Sequence, residues 1–132
     1  MSARDQRPGS DPQMDMNAFV ERYVAVWNEP DPARRREQIA ALWTPDGANL
    51  TKTLEARGYE ALEARVRSSH EKWVRDAGCV FRPCGVQAHH DAVRFKWEML
   101  RPGGEVASVG YDFFLLADDG RIRTDYQFIE PS

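Results

Sequence analysis

Cysteine is scarce in this chain, with Cys79 and Cys84 the two among 132 residues. No further Cys or His lies at ligand spacing from them, so neither a disulfide framework nor a structural metal site is expected. Two reduced thiols in a cytoplasmic protein are the simpler reading. No apolar run approaches the roughly 18–20 residues that a membrane helix needs. The opening stretch, residues 1–14, is polar and lacks the apolar segment of a secretory signal, so it reads as a disordered leader before a domain spanning 15–132. Positive charge is not in excess, since 18 Lys and Arg stand against 21 Asp and Glu, for a net charge of −3. That balance argues against a phosphate-neutralising surface, and neither nucleic acid nor a membrane is expected as a partner. Internal repeats and low-complexity segments are absent too.

What is present suits one domain. A chain of this length buries roughly two-thirds of its unfolded surface and needs no staples. Met16, Phe19, Val20, Tyr23, Val24 and Trp27 recur at three- and four-residue steps, which predicts a helix from about Asp15 to Trp27. Asn28-Glu29-Pro30 ends it. Asp31-Pro32, a cap followed by proline at the first helical position, opens a second helix with Ile39, Leu42 and Trp43 on its buried face. The run Arg34-Arg35-Arg36 reads as a solvated face of that helix. Thr44-Pro45-Asp46-Gly47 reads as a turn, followed by an extended piece from about Ala48 to Leu54. A third helix is predicted from Tyr59 to Ala77, with Leu62, Val66, Ser69/His70, Trp73 and Ala77 as its stripe and Gly78 as its stop.

From Cys79 the period changes to two. Cys79 to Ala88 reads as a strand bent at Pro83 and Gly85. Val93, Phe95, Trp97 and Met99 alternate with Arg94, Lys96 and Glu98, a strand with one apolar face. Arg101-Pro102-Gly103-Gly104 and Asp118-Asp119-Gly120 are hairpin turns. Between them, Val106 to Ala117 is apolar on both faces, and Arg121 to Ile129 closes the sheet. Three N-terminal helices followed by sequential strands give an α+β domain, the helices packed on a curved antiparallel sheet. Ala107, Val109, Tyr111, Phe113 and Leu115 make the face away from the helices apolar, which predicts a homodimer formed through that sheet face.

Three stretches carry a resemblance: Glu21 to Asn28, Ala41 to Gly47, and Gly110 to Phe114 with the following Asp118 to Ile122. Together with the element order, they make residues 16 to 130 resemble the nuclear transport factor 2-like superfamily, of the SnoaL-like, ketosteroid isomerase-like kind. The resemblance implies a sheet curled into a cone, a pocket closed by the helices, and isomerase, cyclase or hydrolase chemistry without a cofactor. Tyr23 looks like the helix-one tyrosine of the isomerases' oxyanion hole, and Asp112 looks like its central-strand acid. In an apolar cavity the ionised form of such an acid is disfavoured, so it stays protonated and can donate to an enolate oxygen. The isomerases' carboxylate base on the first strand has no counterpart, because Ala48 to Leu54 holds no Asp or Glu. His70 is the candidate substitute, since histidine titrates near neutral pH.

The candidate pocket-lining residues are Trp27, Trp43, Asn49, Thr51, Trp97, Phe114 and Tyr126, against the default that each packs a core. His89-His90 read as exposed turn residues. Epoxide hydrolase-like relatives use an Asp–Arg–Asp set, and Arg94 with Asp125 offers one version of it. Alternation turns Arg94 away from the apolar face and out of the pocket. Three readings stay open: an enzyme acting on a small, largely apolar molecule, a non-catalytic module binding such a molecule, and a dimeric interaction protein whose pocket is vestigial.

Overall fold

The computed structural model describes residues 12–130. The expected leader over residues 1–11 lies outside them, while Pro12 to Met14 are already helical. Three helices come first: α1 (Pro12–Asn28), α2 (Pro32–Leu42) and α3 (Tyr59–Ser69), the last continued by a π-helical segment, His70–Asp76. Six strands form one sheet: β1 (Trp43–Leu50), β2 (Glu55–Arg57), β3 (Val80–His89), β4 (Ala92–Leu100), β5 (Val106–Leu116) and β6 (Ile122–Glu130). Their order is β2-β1-β6-β5-β4-β3. The sheet is antiparallel from β3 to β6 and between β1 and β2, but β1 lies parallel to β6, so the expected antiparallel sheet is in fact mixed.

Local chemistry explains most boundaries. Asp31 caps α2 by accepting from the Ala33 amide at 3.0 Å, with Pro32 at the first position. Gly78 ends the π-helical segment at φ +73°, a conformation that suits glycine. Asn28 closes α1 by donating to the Phe81 carbonyl and accepting from the Phe81 amide, which docks that end of the helix on β3.

Two local expectations are corrected. Thr44 to Gly47 is not a turn outside the sheet but a bulge inside β1, between the pairs Trp43–Ile122 and Ala48–Thr124. Trp43 closes that bulge by donating from Nε1 to the Ala48 carbonyl. Arg35 is buried rather than solvated. It lies four residues before Ile39 on the inner side of α2, and its Nε lies 4.0 Å from Glu63 Oε2 of α3. Arg34 and Arg36 are exposed, as are His89, His90 and Arg94.

The sheet bends at register shifts where β1, β3, β5 and β6 carry extra residues against a neighbouring strand. Its concave face receives α1. Tyr23 stacks among Trp43, Phe95 and Phe114 at centroid distances of 5.4, 5.6 and 4.8 Å. The convex face carries Tyr111, Phe113 and Leu115, with Phe128 and Tyr126 across from the first two. Phe113, Tyr126 and Phe128 are 39%, 40% and 54% exposed.

Cross-strand register places Trp97 of β4 directly opposite Gly110 of β5. A Cβ at Gly110 would lie 2.0 Å from the indole Cζ2, so the ring occupies the space that any other residue would fill. Gly110→Ala is therefore expected to cost about 1–3 kcal/mol of unfolding free energy in urea titration and to alter tryptophan emission. A variant as stable as its parent would show that the indole is not held there.

Candidate functional site

Residues on the concave face meet in rows set by the register. Phe95, Asp112 and Gln127 form one row across β4, β5 and β6, and Phe114, Asp125 and Asn49 form the next across β5, β6 and β1. Two carboxyl groups from adjacent strands thus share the floor beneath α1, and both are 0% exposed. Tyr23 comes down from α1 between them, its hydroxyl oxygen 2.9 Å from Asp112 Oδ2 and 2.5 Å from Asp125 Oδ2.

A hydroxyl has one proton to donate, so two close carboxyl neighbours require a proton on one of them. Asp112 is the better anion. It accepts from Trp97 Nε1 at 2.6 Å and from Gln127 Nε2 at 3.3 Å, besides Tyr23. Asp125 has Asn49 Nδ2 at 2.9 Å, and its Oδ1 meets no donor among the described residues. Burial pushes the Asp125 carboxyl well above the usual carboxylate range, and the Asp112 charge beside it adds to the shift. Burial raises Asp112 too, against the opposing hydrogen bonds that it accepts. The consistent proton arrangement is a chain in which Asp125 donates to Tyr23 and Tyr23 donates to Asp112. Burial, with both carboxyl groups beside it, also holds the Tyr23 hydroxyl well above its ordinary value, so it stays protonated.

A cavity of about 400 Å³ opens beside this cluster. Its walls are mostly apolar, with Trp27, Trp73, Phe81, Trp97 and Met99 prominent. Tyr23, Arg65 and Gln127 supply polar groups, and Ser69, Arg101 and Ser108 complete the polar lining. Arg65 of α3 stacks its guanidinium 5.0 Å above the Trp27 ring and donates from Nη2 to Gln127 Oε1 at 2.8 Å. Arg65 thereby connects with the carboxyl pair through the Gln127 amide.

Of the residues expected here, Tyr23, Trp27 and Trp97 line the cavity. Asp112 faces the hollow under α1 but stands behind Tyr23, Trp97 and Gln127, so it reaches a cavity molecule only through them. His70 is buried away from the lining, and its Nδ1 donates to the Trp27 carbonyl at 3.1 Å, tying the last turn of α1. Trp43 and Phe114 belong to the core, while Asn49 is spent on Asp125. Thr51 falls past the end of β1, where its hydroxyl accepts from the Leu54 amide in a turn. Tyr126 points to the convex face. Simple alternation from buried Ile122 puts Tyr126 inside, but Leu116 pairs Ile122 while Leu115 pairs Thr124, so Arg123 is an extra residue that reverses the parity. The same reversal brings in Asp125, weighed from sequence only with Arg94, and Gln127, which sequence reasoning missed. Arg65 was missed as well, although it flanks the Leu62–Val66 stripe at the step from which a long side chain can reach the sheet.

A family model described as a SnoaL-like domain matches residues 20–124. Among solved structures, a candidate isomerase of the SnoaL-like family from Agrobacterium tumefaciens is 25% identical, with 89% of this chain and 99% of that one covered and a TM-score of 0.80. A candidate polyketide cyclase from Sinorhizobium meliloti is 15% identical over 89% and 99% of the two chains, with a TM-score of 0.65. A protein of unknown function with a cystatin-like fold from Methylobium petroleophilum is 17% identical over 91% and 78%, with a TM-score of 0.67. No curated protein matches the chain.

The shared proton has a pH signature. A carboxyl with a raised folded pKa binds its proton more tightly folded than unfolded, so the native state holds more protons than the unfolded one. Its contribution to stability is complete below the unfolded pKa and is lost as pH rises through the folded one. Wild-type stability is therefore expected to decline as pH rises above about 4. Asp125→Asn, neutral at every pH, is expected to flatten that decline when urea titrations at about pH 5 and about pH 8 are compared. Parallel pH dependence in the two proteins would exclude a proton held at Asp125.

Proposed function

Because the chain belongs to the SnoaL-like domain family, we propose that it binds a small, largely apolar molecule in the cavity and polarises an oxygen of it through Tyr23, in isomerase- or cyclase-type chemistry. One observation carries this reading: the tyrosine on the wall of an otherwise mostly apolar cavity is wired to a buried, proton-sharing carboxyl pair. When the Tyr23 O–H turns from Asp112 to a ligand oxygen, Asp125 still donates to the tyrosine oxygen, which strengthens Tyr23 as a donor. Asp112 keeps Trp97 and Gln127 meanwhile. A preorganised donor of this kind favours charge that develops on the ligand oxygen in a transition state. The candidate isomerase and candidate cyclase among the similar structures agree with that chemistry.

The second reading is a non-catalytic binding module. It is favoured by the absence of any Asp, Glu or His among the described lining residues, which leaves no side chain of ordinary base strength against the ligand. Thermal-shift screening with steroids, aromatic polyketides and terpenoids, followed by turnover assays on the stabilising compounds, separates the two. For the enzyme, Tyr23→Phe is expected to lower turnover by about 10²-fold or more while stabilisation by the ligand persists. Stabilisation without turnover would leave the binding module, and rates unchanged in both Tyr23→Phe and Asp112→Asn would remove Tyr23 as the polarising group.

A homodimer joined through the convex sheet face accompanies either reading, supported by the exposed Phe113, Tyr126 and Phe128. Phe128→Glu is expected to convert the dimer to a monomer in light scattering, and a monomeric wild type would remove the proposal. A cytoplasmic setting suits the two free thiols, Cys79 and Cys84.

A further inference from the structure

We propose that the molecule taken by the cavity is a monocarboxylate with a flat apolar body, and that Arg65 receives its carboxylate. The proposal rests on the reading of the cavity as a ligand site and adds the ligand's charge and the group that selects it.

The charges on the wall are unbalanced. The chain is acidic overall, at −3, yet no carboxylate is among the described lining residues, which include two arginines, Arg65 and Arg101. Other arginines in this protein face carboxylates: Arg67 meets Glu63, Arg82 meets Glu98, and Arg121 meets Asp119. Arg65 has no ion pair with a described residue. Its one hydrogen bond to a described residue is donated from Nη2 to a neutral acceptor, the Gln127 amide. Nη1 has no hydrogen-bond partner among the described residues, and Nε is buried without one.

A cation in such surroundings is incompletely compensated. Burial lowers the Arg65 guanidinium from its ordinary value, and the nearby carboxyl pair only partly restores it. The pair itself is already committed, with Asp112 accepting from Tyr23, Trp97 and Gln127. A ligand anion on Arg65 gains a charge-assisted hydrogen bond in a partly desolvated place.

Geometry narrows the anion. The Trp27 ring beneath the guanidinium and the hydrogen bond to Gln127 Oε1 restrain the Arg65 fork, and such a fork suits the planar carboxylate better than a spherical ion. The wall also holds Trp97, Phe81, Trp73 and Met99, which welcome a flat apolar body, and no charged side chain besides Arg65 and Arg101 is among the described lining residues. Arg101 is exposed at the edge, where solvent screens it.

The test uses 2-naphthoate and 2-naphthamide, which share a body and differ in charge, titrated calorimetrically into the full chain. Wild type is expected to bind the naphthoate about tenfold more tightly. Arg65→Gln is expected to bring the two affinities within about twofold by weakening the naphthoate alone, and Arg101→Gln to leave the preference in place. Arg65→Lys, which keeps the charge but loses the fork, is expected to retain part of the preference. Should Arg65→Gln fail to fold, the wild-type ratio and the lysine variant decide. Equal affinities in wild type, or a preference that survives Arg65→Gln or vanishes with Arg101→Gln, overturn the assignment to Arg65 while the cavity reading stands. Failure of both probes to bind overturns the proposal and the cavity reading together.

Discussion

Two carboxyl groups in a dry interior are tolerable only with a proton between them and donors around them, and the middle of this fold is organised to meet that demand. Asp112 and Asp125 lie on neighbouring strands with no exposure to solvent. Removing two anions from water would be prohibitive. Sharing a proton leaves one charge, and the hydroxyl of Tyr23, the indole of Trp97 and the amide of Gln127 surround it. Each donor comes from a different element, so α1, β4 and β6 are tied to β5 at one point. The packing of α1 on the sheet is therefore a hydrogen-bonded constraint as well as an apolar one.

That constraint also shapes the cavity. Trp97 lies across Gly110 because its Nε1 is directed to Asp112, and the ring then forms part of the wall. Tyr23 is held between the carboxyl groups and presents one side to the same space. Gln127 spends its nitrogen on Asp112 and its oxygen on Arg65, so the charge state of the pair and the position of the cation are linked through one amide. The wall is thus apolar in bulk and polar at one end, an arrangement that orients a small molecule by its oxygen atoms. The SnoaL-like family supplies the scaffold, and the groups placed in the cone decide what it does.

The two halves of the site were not equally legible. Tyr23 falls in the α1 stripe, and Asp112 stands on the same strand face as Gly110 and Phe114, so both could be read by period alone. Trp27 and Trp97 followed from the same patterns. Tyr126 and Asp125 exchanged places because a bulge adds one residue to β6, and a strand's parity is blind to an insertion that its partner strand reveals. Thr51 was lost because β1 stops one residue sooner, at Leu50. His70 had the right face but was occupied by the Trp27 carbonyl, a contact between elements distant in sequence. Arg65 is one more charge at the edge of an amphipathic helix in the sequence, and only the fold sets its guanidinium over Trp27.

By itself the sequence determined the order of the three helices and of β3 to β6, the apolar faces of α1 and β4, the turns at Gly104 and Gly120, and the helix that delivers Tyr23, because these depend on short-range period and on backbone freedom at single residues. The tertiary structure alone decided the parallel pairing of β1 with β6, the meeting of Asp125 with Asp112, and the approach of Arg65 to Gln127. Those depend on register between strands and on contacts across 13 to 79 positions of chain, where no local pattern constrains which side chains will share a proton or a charge.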